Sequence, residues 1–445
     1  MVRPTQLLQP RLTFASLRCF PLLLPLLLWQ PAASGQEKPD PQLLTVINGI
    51  RAVDNHSHGL PATTRTAVSE PEDPLGTSPP FFSVRQRETN QEWIEAWRML
   101  HGYRHADMTV EHVREAFRAK WSRMEEKAAR YPEWVLDQAG IEFALINASE
   151  LGAGQTTPRF RWVPYADGFL FPFPTTGFAR PIVQRFRTQV GLDRPPALWS
   201  DYLALVSRRC REWKASGAVA IKFTIAYYRS LDFARPPESE AKTLYERYVQ
   251  DGDTLPRDYR TTDYRALQDF LFRYVAREAG RAGLVVHVHT GEGGGPVFGT
   301  AGANPLLLET VVNDFSLSQT TFVLVHGGFP FDRAVASLIQ KPNVYADISG
   351  QTFFRSRHDL SETLRLWLWA FPEKVLFGTD AFTMSPLRGW EEMAWLATRT
   401  GREALALALT KMIAAGDITR PRAEEVARLV LRDNAIKLYG LSPKM

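Results

Sequence analysis

Eight short apolar or β-branched runs, separated mostly by longer helical patterns, constrain this chain more than any other feature. They read as strands over Leu44–Asp54, Glu142–Asn147, Phe160–Tyr165, Ala218–Thr224, Leu284–His289, Thr321–His326, Asn343–Ile348 and Lys374–Thr379. The later ones alternate with helical patterns at Asp263–Gly283, Asn304–Asp314, Asp332–Gln340 and Asp359–Phe371. Strands alternating with helices make a parallel sheet covered by helices. Eight such units predict a closed (β/α)₈ TIM barrel.

Two departures from a minimal barrel stand out. After the first strand, residues 59–140 form an insertion, opening with the Pro/Thr/Ser-rich stretch Leu60–Pro80 and continuing as a charged helical segment, Asn90–Arg130. Connections from strand to helix emerge at the barrel's C-terminal mouth, so this insertion is expected beside the active site, as a lid or as a helical decoration. After the eighth strand, Pro386–Gly440 reads as extra C-terminal helices.

The N-terminus carries Arg3, Arg11 and Arg18 with no acid, then the apolar run Phe20–Trp29 and the small residues Ala33-Ser34-Gly35. This pattern predicts a signal peptide over residues 1–35 and export to the periplasm or outside the cell, an uncleaved membrane anchor being the alternative. The apolar run is shorter than a bilayer-spanning helix. Its removal takes Lys+Arg from 53 to 50 against 48 Asp+Glu, so the net charge falls from +5 to +2. No basic run with interleaved aromatics is present, so nucleic acid is not an expected partner. Cys19 lies in the predicted signal and Cys210 remains alone, which leaves stability to the core rather than to a disulfide. Oligomeric state, including a homo-oligomer, stays open.

The chemistry lies in where the histidines fall. Of nine, five end predicted strands: His56, His58, His287, His289 and His326. Residues i and i+2 of a strand share a face, so Asp54, His56 and His58 are expected to project together. Imidazole pairs of this kind suit borderline metals such as zinc. The fifth strand ends in His287-Val-His289-Thr-Gly, the sixth in Val325-His326-Gly-Gly and the eighth in Phe377-Gly-Thr-Asp380. A packed barrel interior has no structural need for runs that end abruptly in ligand-type residues. Together they predict a divalent metal site, with one or two ions, held by His56, His58, His289, His326 and Asp380. Lys222 faces inward on the fourth strand, where an amine is costly to bury. It is read as carboxylated and bridging two metals, with an inward lysine paired with a carboxylate, or one pointing outward between helices, as the alternatives. His287 lies deeper than His289 and is expected to support the ligands from behind, as is Asp54. Arg229 is a candidate clamp for a substrate carboxylate, and Glu292 a candidate substrate contact.

These residues resemble the amidohydrolase superfamily. The likeness is carried by Asp54-Asn-His-Ser-His58, Val288-His-Thr-Gly291, Leu324-Val-His-Gly327, Asn343-Val-Tyr-Ala-Asp-Ile-Ser349 and Leu376-Phe-Gly-Thr-Asp380. The nearest likeness is to its amidohydrolase-2 branch, through Ile221–Arg229 and Arg432–Gly440 as well, and it weakens across residues 60–140. The resemblance implies that His56 and His58 bind a first metal with Asp380, which is also the general base. It implies that His289 and His326 hold a second metal in binuclear members. In mononuclear members His289 joins the first site and His326 polarises the substrate. Lys222 would be the carboxylated bridge.

The expected activity is hydrolysis of an amide, ester or similar C–N or C–O bond of a small molecule by metal-activated water. Three other readings stay open: non-oxidative decarboxylation, purine-type deamination with Glu292 as proton donor, and a non-catalytic binding protein. A serine hydrolase is not expected, because the chain contains no Gly-x-Ser-x-Gly elbow.

Overall fold

A computed structural model describes residues 38–442, apart from 61–70, 72, 153, 296 and 297. The expected signal peptide lies outside the described residues. Eight parallel strands follow one another: β1 (Ala52–His58), β2 (Ile141–Asn147), β3 (Phe160–Val163), β4 (Ala220–Phe223), β5 (Val285–His289), β6 (Phe322–Val325), β7 (Val344–Asp347) and β8 (Val375–Leu376). They pair in the order β1-β2-β3 and β4-β5-β6-β7-β8. Parallel bridges from Trp162 to Ala218 and from Tyr165 to Lys222 join β3 to β4. At the other seam Asn55 N donates to Phe377 O at 2.9 Å, and Asp380 N to His56 O at 2.7 Å. The ring is closed, and the chain is a (β/α)₈ barrel.

The strands are short because helices cover them outside and side chains fill them inside. Every residue of β4, β5 and β6 is buried, as expected for parallel strands that read as continuous apolar runs. Inside, Val53, Phe143, Leu145, Ala220, Val285 and Val323 pack the lower barrel, with Tyr439 and Leu441 of the C-terminal segment in the same cluster.

The first strand starts later than the sequence suggests. Pro41–Gly49 is a helix: Asp40 Oδ1 accepts from Leu43 N at 2.9 Å, Pro41 occupies the first turn, and Leu43 and Ile47, four apart, bury one face. Only Ala52 onward is strand. The helix expected over Asn304–Asp314 is also broken up. Pro305–Leu308 forms a 3₁₀ turn capped by Asn304, and Glu309–Val312 a single α-turn. The longer helices agree with expectation: Thr262–Arg281, Arg357–Ala370, Trp390–Ala414 and Arg420–Arg428.

The insertion has its own core. Its helices Glu92–His101, Val110–Lys127 and Tyr131–Ala139 bury Trp93, Trp97 and Leu136 against Trp390 and Met393 of the long helix Trp390–Ala414. Under that contact lies a buried charge cluster. Lys120 Nζ stands 3.0 Å from Glu391 and 2.9 Å from Glu392, and His101 Nε2 stands 2.6 Å from Glu392. Cys210 is a buried free thiol. No described helix is long and apolar enough to cross a membrane.

Candidate metal centre

The strand ends deliver their side chains into one cavity of about 550 Å³ at the C-terminal mouth. His56 and His58 of β1, Lys222 of β4, His289 of β5, His326 just past β6 and Asp380 beyond β8 all line it. On β1 the pairing with β2 shifts register between Asp54 and Ser57. His56 and His58 line the cavity, and Asp54 does not.

The contacts centre on Asp380. Its Oδ1 lies 3.2 Å from His56 Nε2 and 3.1 Å from His58 Nε2, and its Oδ2 lies 3.9 Å from His326 Nδ1. One ligand atom each from His56, His326 and Asp380 falls within 4.8 Å of the others. The His289 ring is 4.6 Å from that of His326, and its buried Nε2 has no hydrogen-bond partner among the described residues. Around a tetrahedral ion with bonds of about 2.1 Å, neighbouring ligand atoms stand about 3.4 Å apart. The separations at Asp380 Oδ1 and the orphaned His289 nitrogen fit a divalent metal.

Protonation states suit the same role. Burial holds His56, His289 and His326 well below the usual imidazole range, leaving lone pairs for a ligand. Burial pushes the Asp380 carboxyl up, but the His326, His56 and His58 imidazoles around it outweigh that and keep it well below the carboxylate range. The backbone is strained at the same two positions. Three described non-glycine residues have positive φ, and two are His326 (68°) and Asp380 (57°). Such conformations cost energy and persist where a site is over-determined by its surroundings. Gly350 makes room for them, since a Cβ there would stand 2.9 Å from His326 Nδ1.

Lys222 Nζ sits 3.5 Å from His56 Nε2, and among the described residues no ion pair joins it to a carboxylate. The paired-lysine alternative is therefore not what the fold contains. Burial brings its amine down to about 8, against the opposing pull of Asp380, Asp347 and Asp167.

The supporting residues behave differently from one another. Asp54 accepts from Thr379 N and Oγ1 at 2.8 and 2.6 Å, pinning the end of β8 beside β1. His287 Nε2 meets the Tyr439 hydroxyl at 2.7 Å, below the cavity. Neither lines the cavity. Glu292 lines the cavity, and burial raises its carboxyl. Arg229 is a correction: it is no substrate clamp. Its guanidinium pairs with Asp269 at 2.7 Å, donates to the carbonyls of Ser230, Arg265 and Asp232, and lies over the Phe233 ring. No donor is left for a ligand.

Several residues here escaped the sequence reading. Asp347 Oδ1 accepts from His326 N at 2.9 Å and Ser349 Oγ at 2.6 Å, and Ser349 Oγ is 3.1 Å from His326 Nδ1. The acid ending the run Val344–Asp347 was the available signal, since it repeats the pattern of the other strand ends. Tyr165 OH lies 3.4 Å from His58 Nδ1, and the Tyr227 ring packs 4.6 Å from His289. The insertion contributes Phe81, Phe82 and Gln86 to the cavity wall, and nothing in its sequence pattern singles them out.

Residues 201–441 match the family model of the amidohydrolase-2 amidohydrolases. The chain belongs to that family. The matched span includes Lys222, His289, His326 and Asp380, while His56 and His58 precede it and are joined to them by the fold. This amidohydrolase is 26% identical over 254 residues to Protein fluG of Emericella nidulans, covering 55% of its own chain and 28% of that protein's length. Among solved structures it resembles a metal-dependent hydrolase from Lactobacillus casei (TM-score 0.57, 16% identity, 91% of this chain and 98% of that one). It also resembles the uronate isomerase of Thermotoga maritima (TM-score 0.56, 13% identity, 89% and 96%). At these identities the two structures attest the shared barrel. Family membership and the ligand cluster make this amidohydrolase a metal-dependent hydrolase in the general sense.

Proposed function

We infer that the chain is an exported hydrolase that cleaves an amide or ester bond of a small molecule at a zinc site. The observation that carries this reading is the convergence of His56, His58 and Asp380 in one buried cavity beside the unpartnered Nε2 of His289. Held by His56, His58 and Asp380, with His289, His326 and a carboxylated Lys222 adjoining, a divalent ion would supply an acidified water and a Lewis-acid contact for the scissile carbonyl. Asp380 is the general base. Its Oδ1 faces the two β1 imidazoles, so Oδ2 takes the proton of the attacking water and returns it to the departing nitrogen or oxygen. His326, held by Ser349 and Asp347, stabilises the developing oxyanion in this reading. Lys222, buried without a carboxylate partner, is the residue for carboxylation: its Nζ forms a bond to the carbon of CO₂ and releases a proton to solvent. Export rests on the arginine-flanked apolar segment at the N-terminus.

A panel of small amides and esters tests the reading. Release of amine or alcohol, abolished by a chelator and restored by zinc, is the expected result. Release of CO₂ would replace it with decarboxylation, and release of ammonia from a purine, lost in Glu292→Gln, with deamination.

A further inference from the structure

Outward of the imidazoles the cavity changes character. On the β8–β1 side, the Phe382 ring lies 6.2 Å from His58 and 6.4 Å from Phe82, which lies 5.3 Å from Phe81. Across the barrel, on the β4–β5 side, Tyr227 packs 4.6 Å from His289 and 4.8 Å from Phe298. The glycine-rich segment after β5 runs between these rings. A Cβ on Gly293 would stand 2.5 Å from Phe298, and one on Gly294 would touch Phe81 at 3.7 Å. The glycine backbone thus packs closely against these rings, and Glu292 lines the cavity.

This wall is fixed in place. Phe81 and Phe82 sit in the stretch 75–88 of the insertion, which two arginines bolt down. Arg388, about 1% exposed, donates to the carbonyls of Leu75, Gly76 and Gln86 and to Ser78 Oγ. Arg85 donates to the carbonyls of Thr352 and Arg355 and pairs with Glu92. Arg229, held by Asp269, is likewise taken up by protein groups. Among the described residues no arginine lines the cavity, and Glu292 is the carboxylate of its outer half.

We propose that this outer half is the subsite for an uncharged or cationic aromatic group, so that the substrates are small aryl amides or esters with no acid on the ring. The inference rests on the hydrolase reading above. Rings favour edge-to-face packing against a bound ring, and their faces attract cations. A ring carboxylate here would lose its water and face Glu292, with no arginine among the described lining residues to pair with it.

Metal-chelating hydroxamates with different distal groups test this by equilibrium binding to the zinc-loaded chain, without turnover. The series is methyl, phenyl, 4-(aminomethyl)phenyl and 4-carboxyphenyl. Phenyl is expected to bind about tenfold tighter than methyl, and 4-carboxyphenyl about tenfold weaker than phenyl. Glu292→Gln should erase the advantage of the amine over the acid. Phe82→Leu, which keeps apolar bulk, should weaken phenyl while leaving methyl unchanged. Equal binding of methyl and phenyl, or tightest binding of the acid, overturns the inference and leaves the metal site intact. Failure of every hydroxamate to bind overturns the metal site itself.

Discussion

At the residue scale, the proposed hydrolysis puts most weight on Asp380 as general base, since one of its oxygens meets both β1 imidazoles. Asp380→Asn removes that base, and turnover should fall about 10²–10⁴-fold with the fold unchanged by circular dichroism. Lys222 supports a separate expectation. If it bridges as a carboxylate, Lys222→Ala should lower metal content from about two ions per chain to about one, and added bicarbonate should not restore it. That these strand-end side chains gather in one cavity was legible in the sequence, since an apolar run ending in His or Asp followed by glycine serves no packing purpose. Arg229 was not, because the Asp269 that absorbs its charge lies in a different element and only the folded chain brings them together. Asp54 does not line the cavity but pins the end of β8 through Thr379, a contact between residues 325 positions apart that alternation along β1 does not reveal.

At the element scale, the insertion is locked to the long helix Trp390–Ala414 through Lys120, Glu391, Glu392 and His101. Lys120→Ala leaves two buried carboxylates without their cation and should cost about 3–5 kcal/mol in urea unfolding. The pH dependence follows from Glu392. Burial pushes its carboxyl up, but Lys120 and His101 overcome this and bring it from 4.5 down to about 2. A lowered folded value means the ionised form stabilises the fold. That stabilisation is complete above 4.5 and is lost as pH falls toward about 2. The stability gap between the wild type and Glu392→Gln should therefore be widest near neutrality and narrow through that window. The segment before β1 shows why element boundaries were harder to read. Leu43, Leu44, Val46 and Ile47 fit either a strand or one face of a helix, and the Asp40 cap with Pro41 decides for the helix.

At the scale of the whole molecule, the barrel floor and the cavity are joined by one buried chain of hydrogen bonds. The Tyr439 hydroxyl donates to Asn55 Oδ1 at 2.5 Å, and Asn55 Nδ2 donates to Asp347 Oδ2 at 2.6 Å. Asp347 in turn holds the backbone of His326. The one hydroxyl proton of Tyr439 goes to Asn55, so His287 Nε2–H donates to its oxygen. Tyr439→Phe leaves Asn55 and His287 unpaired in the interior and should cost about 1–3 kcal/mol by denaturant unfolding. The eight-strand ring was legible from the alternation of runs, whereas the closure at Asn55, Phe377 and Tyr439 depends on residues hundreds of positions apart. The claim on which the rest stands is that this ring presents a metal site at its mouth. Inductively coupled plasma mass spectrometry on the purified chain and on His56→Ala, both grown with zinc, tests it most directly. One or two equivalents of metal in the wild type, with the content falling in the variant, is the predicted result; a wild-type chain that binds no metal would contradict it.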